Sequence, residues 1–224
     1  MAGAVAAYAQ NPLAPPQNVL QLSASGTVQV QQDLLVLTLA ATKEAADAAG
    51  VQTQLKQALD AALAEARRAA QPQQMDVRTG AFGMYPRYGK DGKITGWQGR
   101  AELVLEGRDF PRITATAGKI QSMSISQIAF DLSREARAKV ETEAQAQAIE
   151  AFKARASELA RGFGFGGYTL REVAVNSNEM SPGPRPRMMA MEAKAASYAS
   201  DAPVPVEAGK AQVVVTVAGS VQLK

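Results

Sequence analysis

Four groups of side chains have types and spacings that could do chemistry. Gly162, Gly164 and Gly167 form a G-x-G-x-x-G string. Such a string binds a dinucleotide when a strand precedes it and a helix follows, so that the helix N-terminus meets the phosphates. Here the periodicity places a helix before it and a strand after, which is the setting of a helix C-cap and turn. Glu102 and Glu106 share one face of a predicted strand. Four residues of strand separate them by roughly 13 Å, beyond the about 5–9.5 Å of a glycosidase carboxylate pair, and a solvated face is the simpler reading. Between residues 78 and 100, Arg78, Arg87, Lys90, Lys93 and Arg100 interleave with Phe82, Tyr85, Tyr88 and Trp97, with Asp91 the one acid in the turn. Cations beside aromatic faces can grip a polyanion, a glycan or a partner chain. The last group, Met180, Met188, Met189 and Met191, offers soft thioethers that can hold Cu(I) or be reversibly oxidised.

Composition narrows these options. The 224 residues include no Cys and no His. Thiol nucleophiles, imidazole bases, zinc fingers and His-ligated metals are therefore absent. Without Cys or His beside them, the four methionines read as adaptable packing or loop residues first, and as a metal site only as a remote alternative. Net charge is +3, from 24 basic and 21 acidic residues, too small and too dispersed an excess to predict nucleic-acid binding. Serines, lysines and tyrosines are plentiful, so a Ser–Lys pair stays open as a hydrolase, but no spacing points to one. No catalytic residue and no cofactor are assigned, and the chain is expected not to be an enzyme.

These groups must be positioned by an α+β framework. Residues 19–31 alternate cleanly, with Leu20, Leu22, Ala24, Gly26, Val28 and Val30 on one face. Residues 34–41 are apolar on both faces, as for a central strand covered on both sides. Thr42 is read as the N-cap, with Glu44 in the first turn, of a helix reaching about Ala70 along the stripe Ala48, Val51, Leu55, Leu59, Ala62 and Ala66. Strands over 75–88 and 94–106 flank the turn at Lys90, Asp91, Gly92 and Lys93. In the second of them Trp97, Ala101, Leu103 and Leu105 face opposite to Arg100, Glu102 and Glu106.

Asp109 and Pro111 open a short helix to about Ile120. A strand follows over 123–132. Ser133 then caps the longest helix, 134–162, whose stripe is Val140, Ala144, Ala148, Phe152, Ala156 and Leu159 with Ile149 beside it. Residues 168–176 form a strand, 179–209 a long loop, and 211–223 a closing strand. The predicted order is ββαββαβαββ, with mostly antiparallel sheets packed by long amphipathic helices. At the N-terminus the small apolar run 2–9 ends in Ala7-Tyr8-Ala9, an A-x-A cleavage pattern, and the Pro-rich stretch 11–18 follows. This predicts a residual signal peptide and tether over 1–18, a domain over 19–224, and export. No run of about 20 apolar residues predicts a spanning helix.

The chain resembles the SIMPL-domain family of bacterial periplasmic and outer-membrane-associated proteins. The resemblance rests on LSASGTVQVQQDLLVLTLAAT (22–42), MDVRTGAFGMYPRYG (75–89), ITGWQGRAELVLEGRD (94–109), ISQIAFDLS (125–133), EAQAQAIEAFKARASELARGFG (143–164) and APVPVEAGKAQVVVTVAGSVQL (202–223). It covers about residues 19–224. Gln32 stands where the family often has Pro, and Trp97 where Tyr is common. The resemblance implies an α+β fold of two packed sub-structures, a periplasmic or secreted location with outer-membrane association, and homo-oligomers in some members. It transfers no catalytic residue. The expected role is a non-enzymatic envelope protein that self-associates and binds protein or other surfaces in stress tolerance, with an envelope protein or a glycan as partner. The expected interaction surface is Arg87, Tyr88, Lys90, Lys93 and Trp97. The alternative is a module binding a metal, glycan or small amphiphile through the methionines or the hairpin.

Overall fold

A computed structural model describes residues 17–178 and 205–224. It carries seven strands and three helices in the order β1 (Val19–Gln31), β2 (Leu34–Ala45), α1 (Ala48–Ala69), β3 (Asp76–Tyr88), β4 (Ile94–Gly107), α2 (Phe110–Lys119), β5 (Ser124–Asp131), α3 (Arg134–Gly162), β6 (Tyr168–Asn178) and β7 (Lys210–Leu223). This is the predicted α+β order. The expected N-terminal leader lies almost wholly outside the described residues. So do the four methionines and most of the predicted 179–209 loop.

The chain divides into two compact units. One is built on the antiparallel sheet β3-β4-β2-β5. Its core face carries Leu35, Leu37, Leu39, Ala101, Leu103 and Leu105, all buried, and α1 presses Val51, Leu55, Ala58, Ala62 and Ala66 onto it. The alternation of β2 and β4 puts every second side chain into that core. Helix α2 completes the layer with buried Ile113 and Ala117, and its Phe110 ring lies 5.7 Å from that of Phe130.

Two expectations need correction here. Thr42 and Glu44 belong to β2, where they pair with Arg100 and Gln98 of β4. The long partner strand keeps supplying hydrogen bonds, so the strand outruns the cap signal. The cap is Asp47, whose Oδ1 accepts from the Gly50 N–H at 2.7 Å. Strand β2 is central, flanked by β4 and β5, but only one of its faces is fully buried. Leu34, Val36, Thr38 and Ala40 on the other face are half-buried, with Glu106 and Glu102 of β4 opposite Val36 and Ala40.

The other unit holds the sheet β1-β7-β6 and residues 141–162 of α3. The Leu223 N–H donates to the Asn18 carbonyl at one end of the β1/β7 ladder, and Gln32 N–H to the Gly209 carbonyl at the other, so the pair is antiparallel. Ala144, Ala148, Phe152, Ala156 and Ala160 of α3 pack on Val215, Val217, Val221 and Leu223 of β7 and on Leu20, Leu22, Ala24 and Val28 of β1. Ala160 takes the buried position expected of Leu159, which is half-exposed. The alanines let the helix come close. A Cβ built on Gly26 would lie 2.0 Å from the Ala144 carbonyl oxygen, so only glycine fits where the helix backbone crosses β1. Helix α3 is thus seated over β1 and β7. It reaches β6 at Tyr168, whose ring packs on this cluster and whose hydroxyl donates to the Lys153 carbonyl at 3.4 Å, and leaves Leu170, Val173 and Val175 further along the strand about half exposed.

Candidate functional site

The glycine string resolves as a helix terminus. Gly164 has φ +83°. Its N–H donates to the Arg161 carbonyl at 3.0 Å, and the Phe165 N–H donates to the Ala160 carbonyl at 2.9 Å. These are the two bonds of a Schellman cap, with glycine in the left-handed position. The string has no phosphate-facing helix N-terminus.

The basic aromatic hairpin is β3–β4 around the Gly89–Lys93 turn. Its arginines are matched by acids, two of them across strands and one two residues along β4. Arg87 pairs with Glu44 of β2, Arg78 with Glu106 at 3.6 Å, and Arg100 with Glu102 at 2.9 Å. Lys93 lies 3.9 Å from Asp91, and Lys90 is exposed. The arginines there are therefore largely neutralised, within β4 as well as across strands. Trp97 is half-buried and packs against the core formed with α1. Tyr85 and Tyr88 are 67% and 64% exposed, which leaves the hairpin's tyrosines as its accessible feature. Of the five residues expected to form an interaction surface, Tyr88, Lys90 and Lys93 are open, Arg87 is paired and Trp97 is packed. Glu102 and Glu106 do share a face, each paired with an arginine.

A second polar cluster was not foreseen. Asp33 sits beside the start of α3. Its Oδ1 accepts from the Ser133 N–H and its Oδ2 from the Ser133 hydroxyl, both at 2.7 Å. The Ser133 Oγ in turn accepts from the Ala136 N–H at 3.2 Å, the cap the sequence predicts. Arg108 reaches Asp33 at 3.4 Å and also pairs with Glu135. Partial burial pushes the Asp33 carboxyl up, but the two bonds from Ser133 and the charge of Arg108 outweigh it and hold the carboxyl below its ordinary value of 3.8. A shallow groove of about 230 Å³ lies alongside, lined by Asp76, Glu106, Arg108 and Glu135. A serine beside a carboxylate invites a nucleophile reading. Here the Ser133 N–H and hydroxyl are both given to Asp33 while its Oγ accepts from the Ala136 N–H, which is the geometry of a helix cap. Among the described residues, no buried side-chain nitrogen or oxygen lacks a partner, and no cluster of three acids could hold a metal.

The third place is β6. Among the described residues it is hydrogen-bonded to β7 alone and forms an edge of its sheet. Leu170, Val173 and Val175 are 54%, 45% and 47% exposed. They stand opposite Val221, Gly219 and Val217, on the face that α3 covers further in. The ladder shifts between Leu170 and Glu172, so Arg171 is the extra residue of a bulge. Arg171 donates to Gln222 Oε1 at 3.4 Å, which keeps it on the opposite, open face. There a depression of about 450 Å³ is lined by Gln21, Ser23, Glu172, Ala174, Ala218 and Ser220.

A family model for SIMPL, described as a protein of unknown function (DUF541), matches residues 20–221. The chain belongs to the SIMPL family. The three helices and all but the outermost residues of β1 and β7 fall inside that span. No curated protein matches the chain. In this SIMPL chain the exposed aliphatics of β6 escape local inspection, because Val173 and Val175 look like any strand alternation. What exposes them is the seat of α3, which is chosen by Gly26 and the alanines far away in sequence.

Proposed function

We propose that this SIMPL protein is a non-enzymatic, exported envelope protein that works by self-association and by binding protein or other surfaces, in the service of stress tolerance. The observation that carries the reading is β6, a strand of 11 residues at a sheet edge with three large aliphatic side chains about half exposed. An edge of this kind offers unpaired backbone groups beside apolar surface, which favours joining another chain. The pairing of Ser133 and Asp33 as a cap supports the non-enzymatic part. The A-x-A pattern at Ala7-Tyr8-Ala9 supports export. Light scattering across a concentration series tests the assembly. Mass should rise with concentration, and a strict monomer throughout would overturn the reading. Fractionation after osmotic shock tests the location.

A second reading is favoured by one observation, the exposure of Tyr85 and Tyr88 on a hairpin whose arginines are already paired. Uncharged glycans can stack on such rings without needing free cations. Calorimetric titration with envelope glycans should then give heat that is lost in Y85S/Y88S.

A further inference from the structure

Strand β6 carries a self-complementary pattern. Around the bulge, Arg171 and Glu172 occupy one face, and Tyr168, Leu170, Val173 and Val175 the other. Set a second β6 antiparallel so that a two-fold axis passes between residues 171 and 172. Arg171 then stands opposite Glu172 of the copy, and Glu172 opposite its Arg171. On the other face Leu170 meets Val173, and Tyr168 meets Val175. The central facing pairs are thus opposite charges or apolar side chains, the two kinds that stabilise an antiparallel ladder. A shift of one residue would set Leu170 against Glu172.

The remaining edges are less suited. Strand β3 contains Pro86 near its end, and a proline blunts an edge. Strand β5 has only 8 residues. The apolar face of β1 is already taken by α3. Among the described strands, only β6 combines a long ladder with aliphatic surface that a partner strand would cover.

We propose that β6 receives the β6 of a second copy of this chain, in an antiparallel pair with its two-fold axis between Arg171 and Glu172. This rests on the self-association reading above and names its element and register. The interface is isologous, so each copy offers the same surface.

The absence of cysteine makes the test clean. Facing residues in an antiparallel pair have Cα atoms about 4.5–5.5 Å apart, within disulfide reach, whereas residues offset by three positions are not. A mixture of L170C and V173C proteins should give a cross-linked dimer under mild oxidation, and neither protein alone should. R171E and E172R should each weaken association about tenfold, by setting like charges face to face at two places. The double swap R171E/E172R should restore it. Thermal unfolding of every variant checks that it folds. If the parent chain is monomeric at every concentration, both this inference and the self-association reading fall. If it associates but the mixed cysteines do not cross-link, or the double swap stays weak, the β6 pairing alone is overturned and assembly uses another surface.

Discussion

At the scale of single residues, the most informative group is Ser133 with Asp33. Ser133 caps α3 with its Oγ and gives its own N–H and O–H to Asp33. Ser133→Ala removes the cap and leaves Asp33 short of a donor, so the urea midpoint at pH 7 should report a loss of about 1–2 kcal/mol. The pH response has a definite sign. Asp33 is held low, and so is Asp109, chiefly by the Arg112 N–H and then by its guanidinium. A carboxyl depressed in the folded state adds stability that is whole above its ordinary value of 3.8 and is lost as pH falls through the folded-state value. Denaturant midpoints below about pH 4 should therefore fall more steeply in the parent chain than in Asp33→Asn.

Gly26 gives a second residue-scale prediction. Gly26→Ala drives a methyl into the Ala144 carbonyl and should cost about 2–3 kcal/mol, measured by thermal or urea unfolding. Ser133 and Gly26 were both visible in the sequence, the first as a cap and the second within an alternating strand. The partner of each was not. Asp33 lies 100 positions from Ser133, and no local pattern encodes a contact across that separation.

At the scale of elements, periodicity was a sound guide wherever a stripe was long. The alternation of β1 and β7 and the α3 stripe all reappear, because burial of one face is what created the pattern. The failures come from neighbours. Strand β2 ran past Thr42 because β4 continued to pair with it. Arg78, Arg87 and Arg100 looked like a basic patch because Glu106 and Glu44 enter from elsewhere in the sheet. Exposed pairs of this kind contribute little to stability. The packed Trp97 does more. Trp97→Ala should cost about 2–3 kcal/mol, whereas Tyr88→Ser should stay within about 0.5 kcal/mol. Urea titrations of the two variants separate a core role for the hairpin's indole from a surface role for its phenol.

At the scale of the whole molecule, the α+β class and the family were legible from sequence texture, while the surface that matters was not. Three half-exposed aliphatics on β6 arise only once α3 has settled over β1 and β7. Removing them tests the assembly without relying on charge. V173T/V175T keeps β-branched shape at both positions, so the strand should still form, and self-association read by light scattering should weaken by about tenfold or more.

The central strand of the three-stranded sheet, β7, follows every other described element in the chain, and its two neighbours are β1, near residue 19, and β6. Long loops must close before that sheet exists, whereas β2 through β5 lie within about a hundred consecutive residues. Loop closure over such separations slows folding. Refolding should then proceed in two phases, with the contiguous four-stranded unit protecting its amides first. Until β7 arrives, β1 has no partner strand among the described residues, and interrupting synthesis before residue 210 would leave a half-folded, protease-sensitive chain.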